Sequence, residues 1–207
     1  DKMWISSNGN PPATPSDGKF KITSCQLSVE YVYLDNKERK LFAQSNHEYL
    51  VKQIQYSINN NVLENESKKI FNMNFNHPVL ELVFFVQNKN VKTRGADSGN
   101  DWLNFSKTLS YPFKDPIKSA KIKLNGQDRT PELTAKELRF YNVMDKHTSI
   151  PYDNFIYVYS FSLKPEHYQP TGSCNFSRFD NKELEIEFED SISNSELKIY
   201  ALNYKIG

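Results

Sequence analysis

Residues 157–181 read YVYSFSLKPEHYQPTGSCNFSRFDN. In the first half, Tyr157, Tyr159, Phe161 and Leu163 alternate with smaller or polar residues, the period-two pattern of a half-buried strand. Pro165 and Pro170 then interrupt any ladder, because proline brings no backbone N–H. Thr171, Gly172 and Ser173 turn the chain, and a second alternating run begins near Lys182. Strand, Pro/Gly corner and strand is the local signature of a sheet protein. Asn175 and Ser177 can hydrogen-bond neighbouring backbone within such a corner. Arg178 reads as buried there, with a guanidinium fork suited to carbonyls or a carboxylate. Pro170, Gly172, Asn175, Ser177 and Arg178 are therefore the candidate structural residues, expected to fix how two strands enter their sheets.

Similar patterns extend in both directions. Leu27, Val29, Tyr31 and Tyr33 alternate with polar residues and predict a first strand. Asp35 with Glu38 three residues on predicts a capped short helix whose apolar side is Leu41 and Phe42. Further strands are expected at 49–58, 69–76, 79–88, 121–125 and 155–163, then at 182–188, where Leu184, Ile186 and Phe188 alternate with Glu183, Glu185 and Glu187, and at 197–206. Phe84 and Phe85 side by side point to a strand covered on both faces. Residues 134–145 carry helical spacing through Leu138, Tyr141, Val143 and Met144. Eight strands with short helices in uneven connections predict an all-β, eight-stranded jelly-roll sandwich. Residues 1–23 are rich in Pro, Gly, Ser and Asn and read as a linker or arm, with Trp4 as a candidate anchor. Residues 24–207 form the expected domain. The segment 89–117 is long and polar for a connection within a compact domain, which points to function or assembly.

Composition bounds the function. Of 207 residues, 38% are hydrophobic and 14% aromatic, with 14 Phe and 12 Tyr, enough for a sandwich core. Mean hydropathy is −0.69. The 26 basic and 25 acidic residues leave a formal charge of +1, without the basic excess of a general nucleic-acid binder. Lys114, Lys118, Lys121 and Lys123 read as a solvated strand face. Two cysteines, Cys25 and Cys174, do not make a disulfide framework, and a reducing compartment is the default. No run approaches the roughly 18 apolar residues of a membrane span, and DKMWISSNGN at the start has no apolar region, so no signal peptide is expected. A strand pattern that runs up to Gly207 suggests a piece of a longer protein.

Candidate chemistry is sparse. Cys174 and His167 could be paired as thiol and imidazole, yet no third group orients them, and Cys174 reads as a small buried hydrophobe. His47, His77, His147 and His167 are widely spaced, without the H-x-H of a cupin-type metal site. Glu183, Glu185 and Glu187 read as the wet face of a strand; paired carboxylates for glycoside hydrolysis are set by spatial, not sequence, separation and stay open. The sequons at Asn65, Asn104 and Asn175 read as chance in an Asn-rich chain. No catalytic residue, metal ligand or cofactor is expected.

Four blocks, in order, carry a resemblance: VEYVYLDNKERKLFAQSNHEYLVKQIQ at 29–55, NFNHPVLELVFFVQ at 74–87, KLNGQDR at 123–129 and YSFSLKPEHYQPTGSCNFSRFDN at 159–181. Together they resemble the major capsid protein of nucleocytoplasmic large DNA viruses, the iridovirus, phycodnavirus and mimivirus group. The resemblance implies the second of two tandem jelly rolls, and homotrimers forming pseudo-hexagonal capsomers of an icosahedral shell. It further implies a place in the virion, assembly in host cytoplasm, minor capsid proteins as further partners, and no direct nucleic-acid contact or membrane span. Two other readings stay open: a scaffold lattice that shapes a viral membrane, and a carbohydrate-binding jelly roll in which Trp102 and Tyr111 stack on sugars.

Overall fold

The computed structural model describes residues 23–92, 101–109, 111–151 and 154–206. Of the expected arm at 1–23, residues 1–22, with Trp4, lie outside the described residues, as does the centre of the 89–117 connection. In order come α1 (Asn36–Gln44), β1 (Leu50–Val62), β2 (Lys68–Asn72), β3 (Pro78–Asn88), β4 (Ile117–Leu124), β5 (Gln127–Asp128) and β6 (Leu133–Thr134). A π-helical turn, Glu137–Tyr141, leads directly into α2 (Asn142–Lys146). Then follow β7 (Tyr157–Ser160), β8 (Cys174–Asn175), a 3-10 turn (Phe176–Arg178), β9 (Lys182–Phe188) and β10 (Ser195–Ile206).

All pairings are antiparallel. Sheet A runs β1-β10-β3-β7, with β8 continuing the β7 position along the same edge of β3. Sheet B runs β2-β9-β4-β5, and β6 lies in line with β5 along β4. The first strand thus lies beside the last and the second beside the last but one, which is jelly-roll order. Each sheet offers four strand positions. In each sheet one position is filled by a pair of short strands, of which β5, β6 and β8 have two residues each, too few for a periodic pattern to reveal.

Alternation decides which side chains meet between the sheets. Leu82, Phe84 and Val86 of β3, Leu184, Ile186 and Phe188 of β9 and Leu197, Ile199 and Ala201 of β10 are buried in one cluster. Phe84 stacks on Tyr157 at 5.7 Å, and Phe71 meets Phe188 edge-on at 6.5 Å. Phe85 points the other way, onto Phe105 at 4.2 Å, so β3 is covered on both faces as its sequence predicts.

Several expected elements differ. The expected strand at 27–33 has no ladder partner among the described residues; it is exposed, with Tyr33 91% accessible. The helix at Asp35 forms with a full capping box: Asp35 accepts from the Lys37 and Glu38 N–H groups, and Glu38 accepts from the Asp35 N–H. Yet α1 buries no side chain. The expected helix at 134–145 divides into the π-helical turn and α2, and the strand at 155–163 stops at Ser160. There Ser160 Oγ donates to Ser162 O at 2.8 Å, and Phe161 N–H turns back to Leu80 O.

Candidate functional site

The corner between β7 and β9 is held by short polar side chains and one aromatic ring. Thr171 Oγ1 lies 2.7 Å from Ser162 Oγ, accepts the Lys164 N–H at 2.8 Å and donates to Lys164 O. Gly172 sits at φ +121, where a side chain would be strained, and an added Cβ would lie 3.5 Å from Phe161 O. Asn175 Oδ1 caps the 3-10 turn by accepting the Ser177 N–H. Ser177 Oγ accepts the His77 N–H at 2.8 Å, and Phe176 N–H donates to His77 O at 3.0 Å. The Phe176 side chain is wholly buried.

Two expectations shift here. Pro170 is exposed beside this network, and Arg178 is exposed, not buried, with no hydrogen bond or ion pair among the described residues. The clamp expected of its guanidinium is made instead by Asn125, whose Oδ1 accepts the Asp180 and Asn181 N–H groups at 2.9 and 3.1 Å. Asn125 and Gly126 both take positive φ and turn β4 into β5. The Asn-Gly dipeptide and His77-Pro78 were the available sequence signals for these anchors. Cys174 packs against the core, and burial pushes its thiol up, opposite to what a nucleophile needs. His167 is exposed, its carbonyl accepting Lys52 Nζ at 2.8 Å. His47 is stacked between Phe42 and Tyr49. Among the described residues, no three His, Cys, Asp or Glu gather as a metal would require.

The outer faces of the two sheets are unlike. Sheet B is laced by ion pairs: Lys68 and Lys123 each lie 2.5 Å from Glu185, Lys118 lies 2.5 Å from Glu187, and Lys121 lies 3.2 Å from Asp128. Hydrogen bonds from Lys123, then Lys68, hold the Glu185 carboxyl down at about 2. Most of the lysine run is therefore paired across strands, and Glu185 is more enclosed than a wet face predicts. Sheet A instead carries an aromatic ridge. Tyr56 of β1 stacks on Tyr200 of β10 at 4.8 Å, Tyr200 on Phe85 at 5.9 Å, and Phe85 on Phe105. Ile54, one turn of the pleat away, is 66% exposed and Tyr56 43%.

An open cleft of about 450 Å³ is lined by Asp101, Phe105, Tyr111, Phe113, Asn154 and Phe155, among others. Tyr111 is on its wall. Trp102 is half-buried, with its carbonyl accepting Gln87 Nε2 at 2.6 Å, and is not part of that wall. The two aromatics proposed for sugar stacking therefore do not form one platform.

Polar side chains engaged in corners, caps and cross-strand pairs, on a sandwich with a partly exposed aromatic ridge, define the class as a structural jelly-roll protein. The profile of the family described as large eukaryotic DNA virus major capsid protein matches residues 38–206, and the chain belongs to that family. It is 32% identical over 207 aligned residues to the major capsid protein of Pyramimonas orientalis virus, covering 89% of this chain and 46% of the relative. To the major capsid protein of Paramecium bursaria Chlorella virus 1 it is 32% identical, covering 78% and 41%. The chain spans about half the length of the curated relatives it matches. Among solved structures, PBCV-1 VP54, fitted into a reconstruction of the virophage Sputnik, superposes with a TM-score of 0.70 at 27% identity, covering 85% of this chain and 52% of that one.

Proposed function

We propose that this chain is the jelly-roll half of a capsid protein that works by self-association: homotrimers of pseudo-hexagonal outline, then the lattice of an icosahedral virion shell. Assembly takes place in host cytoplasm, with minor capsid proteins as further partners and without enzymatic activity. The observation that carries this reading is the contrast between the two sheets. A monomer in water has little reason to leave Ile54 and Tyr56 exposed beside the half-buried Tyr200–Phe85 stack while the opposite sheet is laced with ion pairs. Obligate assemblies bury roughly 2,000 Å² or more, and aromatic residues concentrate in their contacts.

The folded unit is taken as β1 to β10, with residues 23–49 as a connector that packs elsewhere in the assembly. Leu27, Val29, Tyr31 and Tyr33 keep a strand pattern yet pair with neither of the edges that β1 and β2 leave open among the described residues, which suits a sheet supplied by another part of the particle. The corner residues Pro170, Gly172, Asn175 and Ser177, with Asn125 in place of Arg178, orient the strands that carry these faces, and the connections 89–117 and 126–154 add further contacts. The test is a variant carrying Ile54→Asp and Tyr56→Asp. Both side chains are exposed, so circular dichroism should stay unchanged while light scattering shows loss of trimer-sized and larger particles. Unaltered particle mass would remove sheet A from the contact surface.

A further inference from the structure

One ionisable pair is enclosed. Glu81 of β3 and His147, which ends α2, meet over the outer face of sheet A, with Oε2 2.9 Å from Nε2 and side chains only 14% and 11% exposed. Neither that oxygen nor either ring nitrogen has an aligned hydrogen-bond partner among the described residues. Two such groups are costly to enclose unless a proton lies between them.

The charged groups facing the pair are Lys52 of β1, Lys146 of α2 and Glu166 of the 161–173 corner, with His167 beside Glu166. Around it the elements are tied together. Lys146 Nζ donates to Ser160 O at 2.8 Å, Thr148 N–H to Glu166 Oε2 at 3.2 Å, and Lys52 Nζ to Pro165 O at 2.6 Å. The pair therefore sits where the connection 137–151 is fastened to sheet A.

We propose that Glu81 and His147 form a proton-dependent clasp that holds the 137–151 connection against sheet A in mildly acidic to neutral solution and releases it as the pH rises. With one titratable proton the pair is neutral overall. Without it, a net negative charge is left enclosed and facing Glu166. Burial, then Glu166, pushes the Glu81 carboxyl up to about 7 from an ordinary 4.5. A raised carboxyl favours the closed form below 4.5, and that contribution is lost as the pH climbs through about 7. Burial pulls the His147 imidazole below its ordinary 6.5, which acts in the opposite sense on the acid side. The two groups titrate as a unit that keeps one proton above 6.5, where the separated groups have lost it. The net effect is opening on the alkaline side.

Hydrogen exchange of the 138–147 amides, normalised to intrinsic rates, tests this at about pH 6 and about pH 8, with β10 amides as the internal control. The protein should lose protection in 138–147 several-fold at the higher pH while β10 stays unchanged. Glu81→Gln supplies a neutral donor in place of the protonated carboxyl and should keep the segment protected at both pH values. An unchanged segment in the parent protein, the same pH ratio in Glu81→Gln, or a variant unprotected at both values would each overturn the clasp.

Discussion

Phe176 and Arg178 are two residues apart in one turn and have opposite fates. The Phe176 ring is wholly buried, while the Arg178 side chain lies in solvent. Phe176→Ala should therefore cost about 3–5 kcal/mol as a cavity under the corner, whereas Arg178→Ala should stay within about 0.5 kcal/mol. Chemical denaturation of both variants checks this; equal effects would contradict the account of the corner. Glu185 offers a second test. Its carboxyl titrates at about 2 in place of 4.5, because Lys123 and then Lys68 bond its charged form. A depressed carboxylate adds stability that is complete above pH 4.5 and lost as the pH falls through about 2. The denaturation midpoint should fall more steeply between about pH 6 and about pH 3 in the parent than in Glu185→Gln; identical slopes would remove the ladder as a source of acid lability. At this scale the sequence is an uneven guide. The β9 alternation is legible because a strand buries one face, so Leu184, Ile186 and Phe188 declare themselves. Arg178 is not legible, since burial of a long side chain depends on which distant segment passes over it, and here Asn125 reaches the backbone first.

Elements show the same division. The capping box of α1 is local chemistry and forms as its residues dictate. Because α1 buries nothing, Asp35→Ala should weaken the helix by about 1 kcal/mol without moving the main thermal transition. Exchange of the 38–44 amides would rise while the midpoint holds; a lowered midpoint would mean that α1 supports the sandwich. The strand pattern at 27–33 is equally clear in the sequence, yet no ladder forms. Period-two alternation reports a preference for pairing and is silent on whether an edge is at hand. Conversely, β5, β6 and β8 have two residues each, too few for any period, and exist because β3 and β4 present edges to them. The broken 134–145 helix reflects a tertiary demand too: its π-helical turn buries Leu138 and places Arg139 Nη1 2.6 Å from Asp115.

Across the whole molecule, one sheet is ion-paired on its outer face and the other carries an aromatic ridge, the contrast on which the proposed self-association rests. A jelly-roll sandwich was the expectation from eight alternating runs, seven of which meet a strand in the structure while 27–33 forms none; which face would stay apolar was not legible, because each strand's outward residues acquire meaning only beside their neighbours. Tyr56, Tyr200, Phe85 and Phe105 come from four separate segments and form one ridge only once β1, β10 and β3 are aligned. Shortening the 89–117 connection should change particle mass if it bears a contact, and light scattering of an unaltered assembly would discard that role. The most direct test of self-association is native mass spectrometry of the full-length protein, with electron microscopy of the same sample. Trimers of hexagonal outline are the predicted result, and a stable monomer at assembly concentrations would contradict it.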